Sequence, residues 1–356
     1  MARDPICSME VDNEEFIFKF RGKEYFFCSA GCMEKFKNSP DEFLQKYIYD
    51  LVIIGAGPAG LTAAVYASVL NIDTFLIAKD IGGQAIDSSK IKNYMGFDFI
   101  TGKDLVKKFK SQFLQEHYLS HKIGEVAKIN RDDDAFEILT KENSKLLARS
   151  IIIATGMKRR KLGIPGEEAL QRKGISYSSV QDITLFKGLD VVVIGGGNSG
   201  VQTANDLNKL GGKVVLISQG KLTADQKDID TLIKTNKNDI LENYDILEIK
   251  GKDKVEGVVV QSRVSSKTKH ISCKGVFIQV GLLPNIEFCQ GLLKLNEKAE
   301  IMINHDCSTN AKGIFACGDV TDCFGKRIVI ASGEGAKAAL SVRKYLFKQK
   351  EAENGK

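Results

Sequence analysis

The chain has 356 residues, which suits two or three domains, and its 43% apolar residues are enough for a sizeable buried core. Its formal charge of +6 is small and its Lys and Arg residues are dispersed, so we expect no nucleic-acid partner. The sequence has no apolar run of about 18 residues or more and no apolar signal segment at its start. We therefore expect no membrane span and a cytoplasmic location.

Three of the eight cysteines lie close to the start of the chain, and the other five lie at position 273 or later. The early three are Cys7, Cys28 and Cys32. Eight cysteines in a chain of this length do not indicate a dense disulfide framework. Residues 1–46 are also rich in Phe and in charge, so they are predicted to form a small module of their own.

The composition changes after this module, and two strand–helix–strand units follow. The first consists of an apolar strand at 49–54, an Ala-rich helix at 61–70 and a strand at 74–78. The second begins with a strand at 190–194 and ends with one at 213–217, about 140 residues further along the chain. This pattern predicts an α/β fold with two Rossmann-like, three-layer dinucleotide-binding domains, beside a small α+β head.

The first strand runs into a turn in which three glycines have separate physical roles. Gly55 allows the tight turn, Gly57 lets the backbone approach a pyrophosphate, and Gly60 lets the helix pack close to the strand. The helix N-terminus offers free N–H groups and a positive dipole end to the phosphates. The turn is therefore predicted to bind a dinucleotide through Gly55, Ala56, Gly57, Pro58, Ala59 and Gly60.

Further motifs occur along the chain: Gly82-Gly83-Gln84, residues 91–96 (IKNYMG), Ala154-Thr155-Gly156, Gly195–Gly200 and residues 313–320 (GIFACGDV). In this order and spacing, residues 48–347 resemble the low-molecular-weight thioredoxin reductase family. The resemblance implies an FAD-binding domain in two segments, an inserted NAD(P)-binding-type domain, and a homodimer. The expected segments are 48–157 and 285–347 for FAD, 158–284 for NAD(P), and a polar tail at 348–356.

The resemblance implies that the dinucleotide at the first turn is FAD, and it assigns roles to residues far from that turn. Gln84 and Asn93 are expected near the flavin and its ribityl chain, and Asp319 is expected to accept a hydrogen bond from a ribityl hydroxyl. Thr155 and Gly156 are expected beside the pyrophosphate. The remaining implied FAD contacts are Gly83, Ala154, Gly318, Lys326, Arg327 and Ile328, of which the last three lie at the flavin edge.

The sequence departs from that family at its redox-active Cys-x-x-Cys. Counted back from Gly195 without a gap, the two cysteine positions are occupied by Ser178 and Gln181. Neither side chain forms a thiolate or a disulfide, so a dithiol relay at this place is excluded. The chain is therefore predicted not to be a thioredoxin reductase.

A second departure concerns the nicotinamide nucleotide. The family clamps the 2′-phosphate of NADPH with a His-Arg-Arg run, and the corresponding residues here are Ser218-Gln219-Gly220-Lys221. Both NADPH and NADH therefore stay open as donors, as does a domain that no longer uses either. The expected NAD(P) contacts are Gly195, Gly197, Asn198, Ser199 and Gly200.

The spacing of the three early cysteines, with Asp4-Pro5 before Cys7 and aromatic residues before Cys28, resembles a YHS (TRASH-like) metal-binding domain. Three thiolates suit Zn(II), Cu(I), Hg(II) or another soft metal, and a bound metal would help so small a module to fold. The fourth ligand stays open, with Met9, solvent or a second chain as candidates.

These features predict an FAD-dependent oxidoreductase that takes a hydride from NAD(P)H and passes electrons to an acceptor other than a Cys-x-x-Cys disulfide. The acceptor would be a small redox carrier or a metal ion brought by the head. One alternative is a flavin-containing metal sensor or chaperone with vestigial reductase activity. Another is a ferredoxin or flavodoxin–NADP reductase of the thioredoxin-reductase type.

Overall fold

A computed structural model describes residues 2–7, 9–11, 15–21, 23–88, 91–115, 119–131, 135–177, 182–236 and 239–354. The chain divides into two compact units. The first consists of Met1–Met157 and Pro284–Lys356, and the second of Lys158–Leu283. In the described part of the chain no helix is both long and apolar enough to cross a bilayer.

The head of the first unit is a small α+β module. Its strands form two antiparallel pairs, β1 (Ala2–Arg3) with β2 (Glu10–Val11) and β3 (Ile17–Phe20) with β4 (Lys23–Phe26). Two short helices follow, α1 (Ala30–Asn38) and α2 (Pro40–Leu44). Phe27 and Phe36 are fully buried with ring centroids 5.3 Å apart, so aromatic side chains supply the core of the head.

The rest of the first unit is built on a parallel sheet with strand order β23-β12-β6-β7-β8. These strands are β6 (Leu51–Ala56), β7 (Thr74–Ile81), β8 (Leu119–Ile123), β12 (Ile151–Ile153) and β23 (Ile314–Ala316). A smaller sheet contains β5 (Ile48–Tyr49), β9 (Val126–Arg131), β10 (Phe136–Thr140) and β11 (Lys145–Ala148). The helices are α3 (Pro58–Val69), α4 (Gly102–Phe113) and α7 (Ile328–Asn354), and Gly83–Asp87 forms a 3₁₀ turn.

The second unit repeats the parallel-sheet design, with strand order β14-β21-β15-β16-β17. These strands are β14 (Ile175–Ser176), β15 (Val191–Ile194), β16 (Val214–Ser218), β17 (Ile240–Glu242) and β21 (Gly275–Ile278). Its helices are α5 (Asn198–Asn208) and α6 (Gln226–Asn236). An antiparallel sheet adds β18 (Tyr244–Lys250), β19 (Gly257–Ser262) and β20 (Thr268–Ser272), while β13 (Met157–Arg159) pairs with β22 (Leu282–Pro284). The predicted fold class is therefore confirmed.

The head packs on the rest of the first unit through a buried ion pair. Lys23 of β4 is 6% exposed, and its ammonium pairs with the carboxylate of Asp73, which directly precedes β7. The same ammonium lies 4.9 to 5.4 Å from the ring centroids of Tyr25, Tyr47 and Tyr49. Aromatic faces attract cations and exclude water, so this ion pair lies in a setting of low dielectric.

Apolar packing continues across the same boundary. Phe27 and Phe36 of the head belong to one hydrophobic cluster with Phe75 and Ile77 of β7. The hydroxyl of Tyr25 also lies 2.8 Å from that of Ser120 in β8. The head is therefore part of the first unit and shares its core.

We predict that Lys23→Met destabilises the first unit by about 3 kcal/mol, because it leaves the Asp73 carboxylate partly buried without its cation. The double variant Lys23→Met/Asp73→Asn should recover part of that loss, since no unpaired charge remains. Denaturant unfolding of the full chain measures both values. Lys37→Met is the control, because Lys37 is more exposed than Lys23 and pairs with Glu34 within α1. An equal loss in this variant would contradict a special role for Lys23.

Candidate dinucleotide sites and a thiol cluster

The first glycine turn connects β6 to α3 by close backbone contact. Gly55 has φ of 108°, and a methyl group added there would lie 2.4 Å from the carbonyl oxygen of Ala154 in the neighbouring strand segment. A methyl group at Gly60 would lie 1.9 Å from the carbonyl oxygen of Gly55. Both positions therefore exclude a side chain, and α3 starts directly against the strand that precedes it.

The space above this turn is open. Gly57 is the N-cap residue of α3, Pro58 occupies the first helical position, and a methyl group added at Gly57 would meet no atom within 4 Å. The N–H groups of Ala59 and Gly60 fall in the first turn, where the helix provides no acceptor. The positive end of the helix thus faces open space, as a helix N-terminus that binds a pyrophosphate would.

A second glycine pair forms one wall of this space. Gly82 donates its N–H to the carbonyl of Ala56 at 2.8 Å, and a methyl group at Gly83 would lie 3.2 Å from the Cα of Gly57. The N–H of Gly83 is bound by Asp80 Oδ1 at 3.1 Å, because β7 extends to Ile81 and carries Asp80 to this turn. This role of Asp80 was not predicted from the sequence.

Gln84 and the segment 154–156 adjoin the same region. Gln84 Nε2 donates to the carbonyl of Met157 at 2.7 Å. Thr155 Oγ1 donates to the carbonyl of Asn285 at 2.7 Å, and Asn285 Nδ2 donates back to the carbonyl of Thr155 at 2.9 Å. Gly156 has φ of 60° and open space where a side chain would be, so it offers bare backbone.

The segment that follows β23 packs on α3, the helix of the first glycine turn. A methyl group at Gly318 would lie 2.9 Å from the Cβ of Ala59, so Gly318 and the turn residues are in contact. Burial raises the pKa of the neighbouring Asp319, the Lys326 ammonium opposes that effect, and the Glu334 carboxylate adds to it. Asp319 is half-buried, and a carboxylate in this setting gains stability from a hydroxyl donor.

Glu334 is a site residue that the sequence analysis missed. It is 4% exposed, and its Oε2 accepts a hydrogen bond from the N–H of Gly318 at 2.7 Å. It therefore fixes the backbone of the segment that carries Asp319. The only sequence signal is the pair of glycines that flank it, Gly333 and Gly335, at the start of the last helix.

The remaining predicted FAD residues lie outside the two glycine turns and their neighbouring segments. Lys326 is half-buried and forms an ion pair with Glu300 at 3.1 Å. Arg327 is exposed, and its Nη1 donates to the carbonyl of Lys326 at 2.9 Å. Ile328 packs on the apolar cluster that includes Ile91, Ile100 and Leu105. Asn93 is exposed in the loop that the pairing of Ile91 with Ile100 closes.

The second glycine turn repeats the contacts of the first. Gly195 has φ of 131°, and a methyl group there would lie 2.1 Å from the carbonyl oxygen of Gln279 in the neighbouring segment. A methyl group at Gly200 would lie 1.9 Å from the carbonyl oxygen of Gly195, the same distance as at the first turn. Gly197 is the N-cap residue of α5, and the helix follows with Asn198 and Ser199.

The loop after β16 lies directly on this second turn. Thr223 donates its N–H to the carbonyl of Gly196 at 2.9 Å, and a methyl group at Gly196 would lie 2.3 Å from Ser218 Oγ. In a dinucleotide-binding fold, the loop that follows the second strand meets the adenosine ribose. Residues 218–223 are therefore the candidate loop for distinguishing a 2′-hydroxyl from a 2′-phosphate.

Two carboxylates from the next strands support that loop. Glu242 Oε1 accepts from the N–H of Leu222 at 2.8 Å, and Asp245 Oδ1 accepts from Gln219 Nε2 at 3.0 Å. Arg263 binds Asp245 through both Nε, at 2.9 Å, and Nη2, at 2.7 Å. This bidentate pairing uses the same edge of N–H donors with which an arginine binds a phosphate.

The predicted metal ligands of the head lie together. Cys7 Sγ is 3.5 Å from Cys28 Sγ, and Cys28 Sγ is 3.7 Å from Cys32 Sγ. In a tetrahedral zinc site with Zn–S bonds of about 2.3 Å, neighbouring sulfurs lie about 3.8 Å apart. The three thiols therefore fit one metal ion of that size.

The end of β4 and the start of α1 position Cys28 and Cys32. β4 ends just before Cys28, and Ser29 caps α1 by accepting the N–H of Cys32 at 3.3 Å. Desolvation, a hydrogen bond to Cys28 and the charge of Asp4 raise the pKa of the Cys7 thiol to about 12, although the Met9 backbone opposes them. A metal that binds here must therefore displace protons.

The structure says nothing about two of the predicted residues. Ser178 and Gln181, which occupy the cysteine positions of the related family, lie outside the described residues.

The sequence matches two known families. Residues 49–337 match the family described as pyridine nucleotide-disulphide oxidoreductase, and residues 2–47 match the YHS domain.

Individual relatives cover the larger of these regions. The chain is 38% identical over 321 residues to an alkyl hydroperoxide reductase component of Escherichia coli (strain K12), covering 89% of this chain and 62% of that protein. It is 35% identical over 319 residues to an NADH dehydrogenase of Ferdinandcohnia aciditolerans, covering 87% of this chain and 60% of that protein. The chain thus spans about three fifths of the length of these curated relatives.

A solved structure covers the same region. The thioredoxin reductase of Lactococcus lactis is 35% identical, with a TM-score of 0.72, over 84% of this chain and 99% of that one. The predicted resemblance to thioredoxin reductases and the predicted YHS head are both confirmed. The chain belongs to the pyridine nucleotide-disulphide oxidoreductase family, a family of flavoproteins, and carries a YHS domain in its N-terminal region.

Proposed function

We propose that the chain is an FAD-dependent oxidoreductase that takes electrons from a nicotinamide nucleotide and delivers them to an acceptor other than a Cys-x-x-Cys disulfide. The observation that carries this proposal is the pair of equivalent glycine turns. At each turn a methyl group on the third glycine would lie 1.9 Å from the carbonyl oxygen of the first. The chain therefore offers one dinucleotide site in each unit, and FAD and a nicotinamide nucleotide are the pair that its family uses.

The residues of the first unit suit FAD. The N–H groups of Ala59 and Gly60 would bind the pyrophosphate, and Asp319 would accept a hydrogen bond from the ribityl chain. When bound, FAD supplies the capacity to accept a hydride and to release its electrons singly or in pairs. The protein would contribute position and, close enough to act on Asp319, the positive charges of Lys326 and Arg327.

We also propose that the chain is not a thioredoxin reductase, because its 356 residues contain no Cys-x-x-Cys. A small redox carrier or a metal ion is then the acceptor, as the sequence analysis predicts. The L. lactis relative is named a thioredoxin reductase, so reduction of thioredoxin by this chain with NADH or NADPH would contradict this part of the proposal.

The donor that we infer is NADH. The loop 218–223 meets two carboxylates, Glu242 and Asp245, and the nearby Arg263 is already bound through two nitrogens by Asp245. A 2′-phosphate would face these carboxylates, whereas a 2′-hydroxyl can donate a hydrogen bond to one. The relative from F. aciditolerans, named an NADH dehydrogenase, is consistent with this inference.

The head would bind a soft metal through Cys7, Cys28 and Cys32. Because the head shares a hydrophobic cluster and a buried ion pair with the rest of the first unit, its metal would lie at a fixed place in the unit that holds FAD. This arrangement supports a role for the metal in the redox function, as an acceptor or as a signal that controls electron delivery.

Gly57→Ala tests the FAD site. We expect FAD affinity to fall on the order of tenfold, about 1.4 kcal/mol, because the new methyl group enters the space proposed for the pyrophosphate. The thermal unfolding of the protein freed of FAD should not change, since the methyl group meets no protein atom within 4 Å. Fluorescence titration of FAD measures the affinity. Gly31→Ala, in α1, is the control. Equal FAD affinity in the unmodified protein and in both variants would argue against a dinucleotide site at Gly57.

Anaerobic rapid mixing with NADH or NADPH tests the donor. We expect NADH to bleach the flavin absorbance with a second-order rate constant at least about tenfold above that for NADPH. Asp245→Asn should lower the ratio of the NADH rate constant to the NADPH rate constant, because Arg263 is released to bind a 2′-phosphate. Asp253→Asn removes an exposed acid from the same unit and should leave the ratio unchanged.

A ratio that favours NADPH in the unmodified protein would overturn the choice of NADH. If neither nucleotide bleaches the flavin, the chain is a flavin-containing metal-binding protein without reductase function.

The double variant Cys28→Ser/Cys32→Ser tests the head. We expect it to lose bound zinc and copper and to lose any turnover of NADH that depends on added metal, while flavin bleaching by NADH persists. Metal analysis and steady-state NADH oxidation measure these effects. Cys273→Ser, which alters a thiol of the second unit, is the control. Metal-dependent turnover that survives in the double variant would separate the head from the redox function.

A further inference from the structure

The head contains a fully buried carboxylate among its thiols. Asp4 has 0% exposure, and its carboxylate oxygen and the sulfurs of Cys7, Cys28 and Cys32 all lie within 4.8 Å of one another. A buried carboxylate is costly unless it is hydrogen-bonded, ion-paired or bound to a metal. Asp4 is therefore expected to have a specific task in this small module.

The hydrogen bonds of Asp4 use its two oxygens unequally. Oδ1 accepts two backbone N–H groups, from Ile6 at 2.7 Å and from Cys7 at 3.3 Å. Oδ2 accepts one, from Cys28 at 2.8 Å. A carboxylate oxygen has two lone-pair sites, so Oδ2 retains one for a further partner.

The thiols lie close to this carboxylate. One ligand oxygen of Asp4 and the three sulfurs form a cluster in which every pair of atoms lies within 4.8 Å. A metal ion bound by the three sulfurs would therefore lie within reach of the Asp4 carboxylate.

We propose that Asp4 is the fourth ligand of the head, so that the site is Cys3Asp and selects Zn(II) over Cu(I). This inference rests on the metal-binding role proposed above. Zn(II) takes four ligands in a tetrahedron and accepts carboxylate oxygen alongside sulfur. Cu(I) is a soft ion that thiolates satisfy, and it gains little from a hard oxygen.

The backbone around Asp4 serves the same purpose. The N–H of Cys28 that binds Oδ2 would orient the carboxylate toward the metal, as hydrogen bonds to metal-binding carboxylates commonly do. The bonds from Ile6 and Cys7 to Oδ1 keep the other oxygen turned to the backbone. Asp4 thus joins the loop of Cys7 to that of Cys28 before any metal binds.

Asp4→Ala in the full-length flavoprotein tests the proposal through two metals. We expect Zn(II) affinity to fall on the order of 100-fold and Cu(I) affinity to stay within about threefold. Competition with chromophoric chelators measures both. Glu34→Gln is the control, because it removes one negative charge from an exposed position of α1 without touching the thiols.

Cobalt substitution supplies a second measurement that does not depend on turnover. Co(II) in the Asp4→Ala protein should show altered ligand-field bands, at wavelengths longer than flavin absorption, and added acetate should restore the bands of the unmodified protein. X-ray absorption of the zinc form of the unmodified protein should show three sulfurs and one oxygen. That measurement needs no variant, so it stands if Asp4→Ala fails to fold.

The outcomes separate the possible roles of Asp4. Equal losses of Zn(II) and Cu(I) affinity would mean that Asp4 only holds the loops together, and the proposal would be overturned. Unchanged Zn(II) affinity, or a fourth sulfur in the zinc form, would overturn it as well. If the unmodified protein binds neither metal through Cys7, Cys28 and Cys32, the metal-binding role itself fails, which is a different result.

Discussion

The architecture depends on the close approach of a helix to the strand that precedes it. At Gly60 and at Gly200 the helix backbone lies so near the carbonyl of the first glycine of its turn that a methyl group would fall within 1.9 Å of it. That contact directs the first N–H groups of each helix to the carboxyl ends of the parallel strands. Any larger residue would displace the helix, and with it the positive dipole end that a pyrophosphate needs.

The ion pair between Lys23 and Asp73 has the corresponding role for the head. A lysine that is 6% exposed between three tyrosine rings exchanges hydration for one carboxylate and for aromatic faces. β4 carries Lys23 on one side of this contact and leads to Cys28, while Asp73 leads into β7 and on to the glycines at 82 and 83. β4 and β7 therefore connect this ion pair to the thiol cluster and to the candidate FAD site.

The sequence alone predicts the α/β class, both glycine turns, the YHS head and the family, because these depend on residue types at short, fixed spacings. The pairing of Arg263 with Asp245 and the bond from Gly318 to Glu334 join positions 18 and 16 residues apart, and neither Arg263, Asp245 nor Glu334 belongs to a motif. Asp80 lies beyond the apolar core of its strand, but β7 is three residues longer than that core indicates. Such contacts depend on tertiary geometry, so spacing does not reveal them.

Three of the residues that the sequence left unassigned share one physical property. Asp4, Asp80 and Glu334 are acids whose oxygens accept backbone N–H groups at turns. Each bond satisfies a backbone N–H that has no partner in a helix or sheet, and it fixes the turn that contains this N–H. Asp4 differs from the other two because its carboxylate and the sulfurs of three cysteines lie within 4.8 Å of one another. We therefore expect a carboxylate that organises a turn to serve also as a metal ligand only where cysteines converge on it.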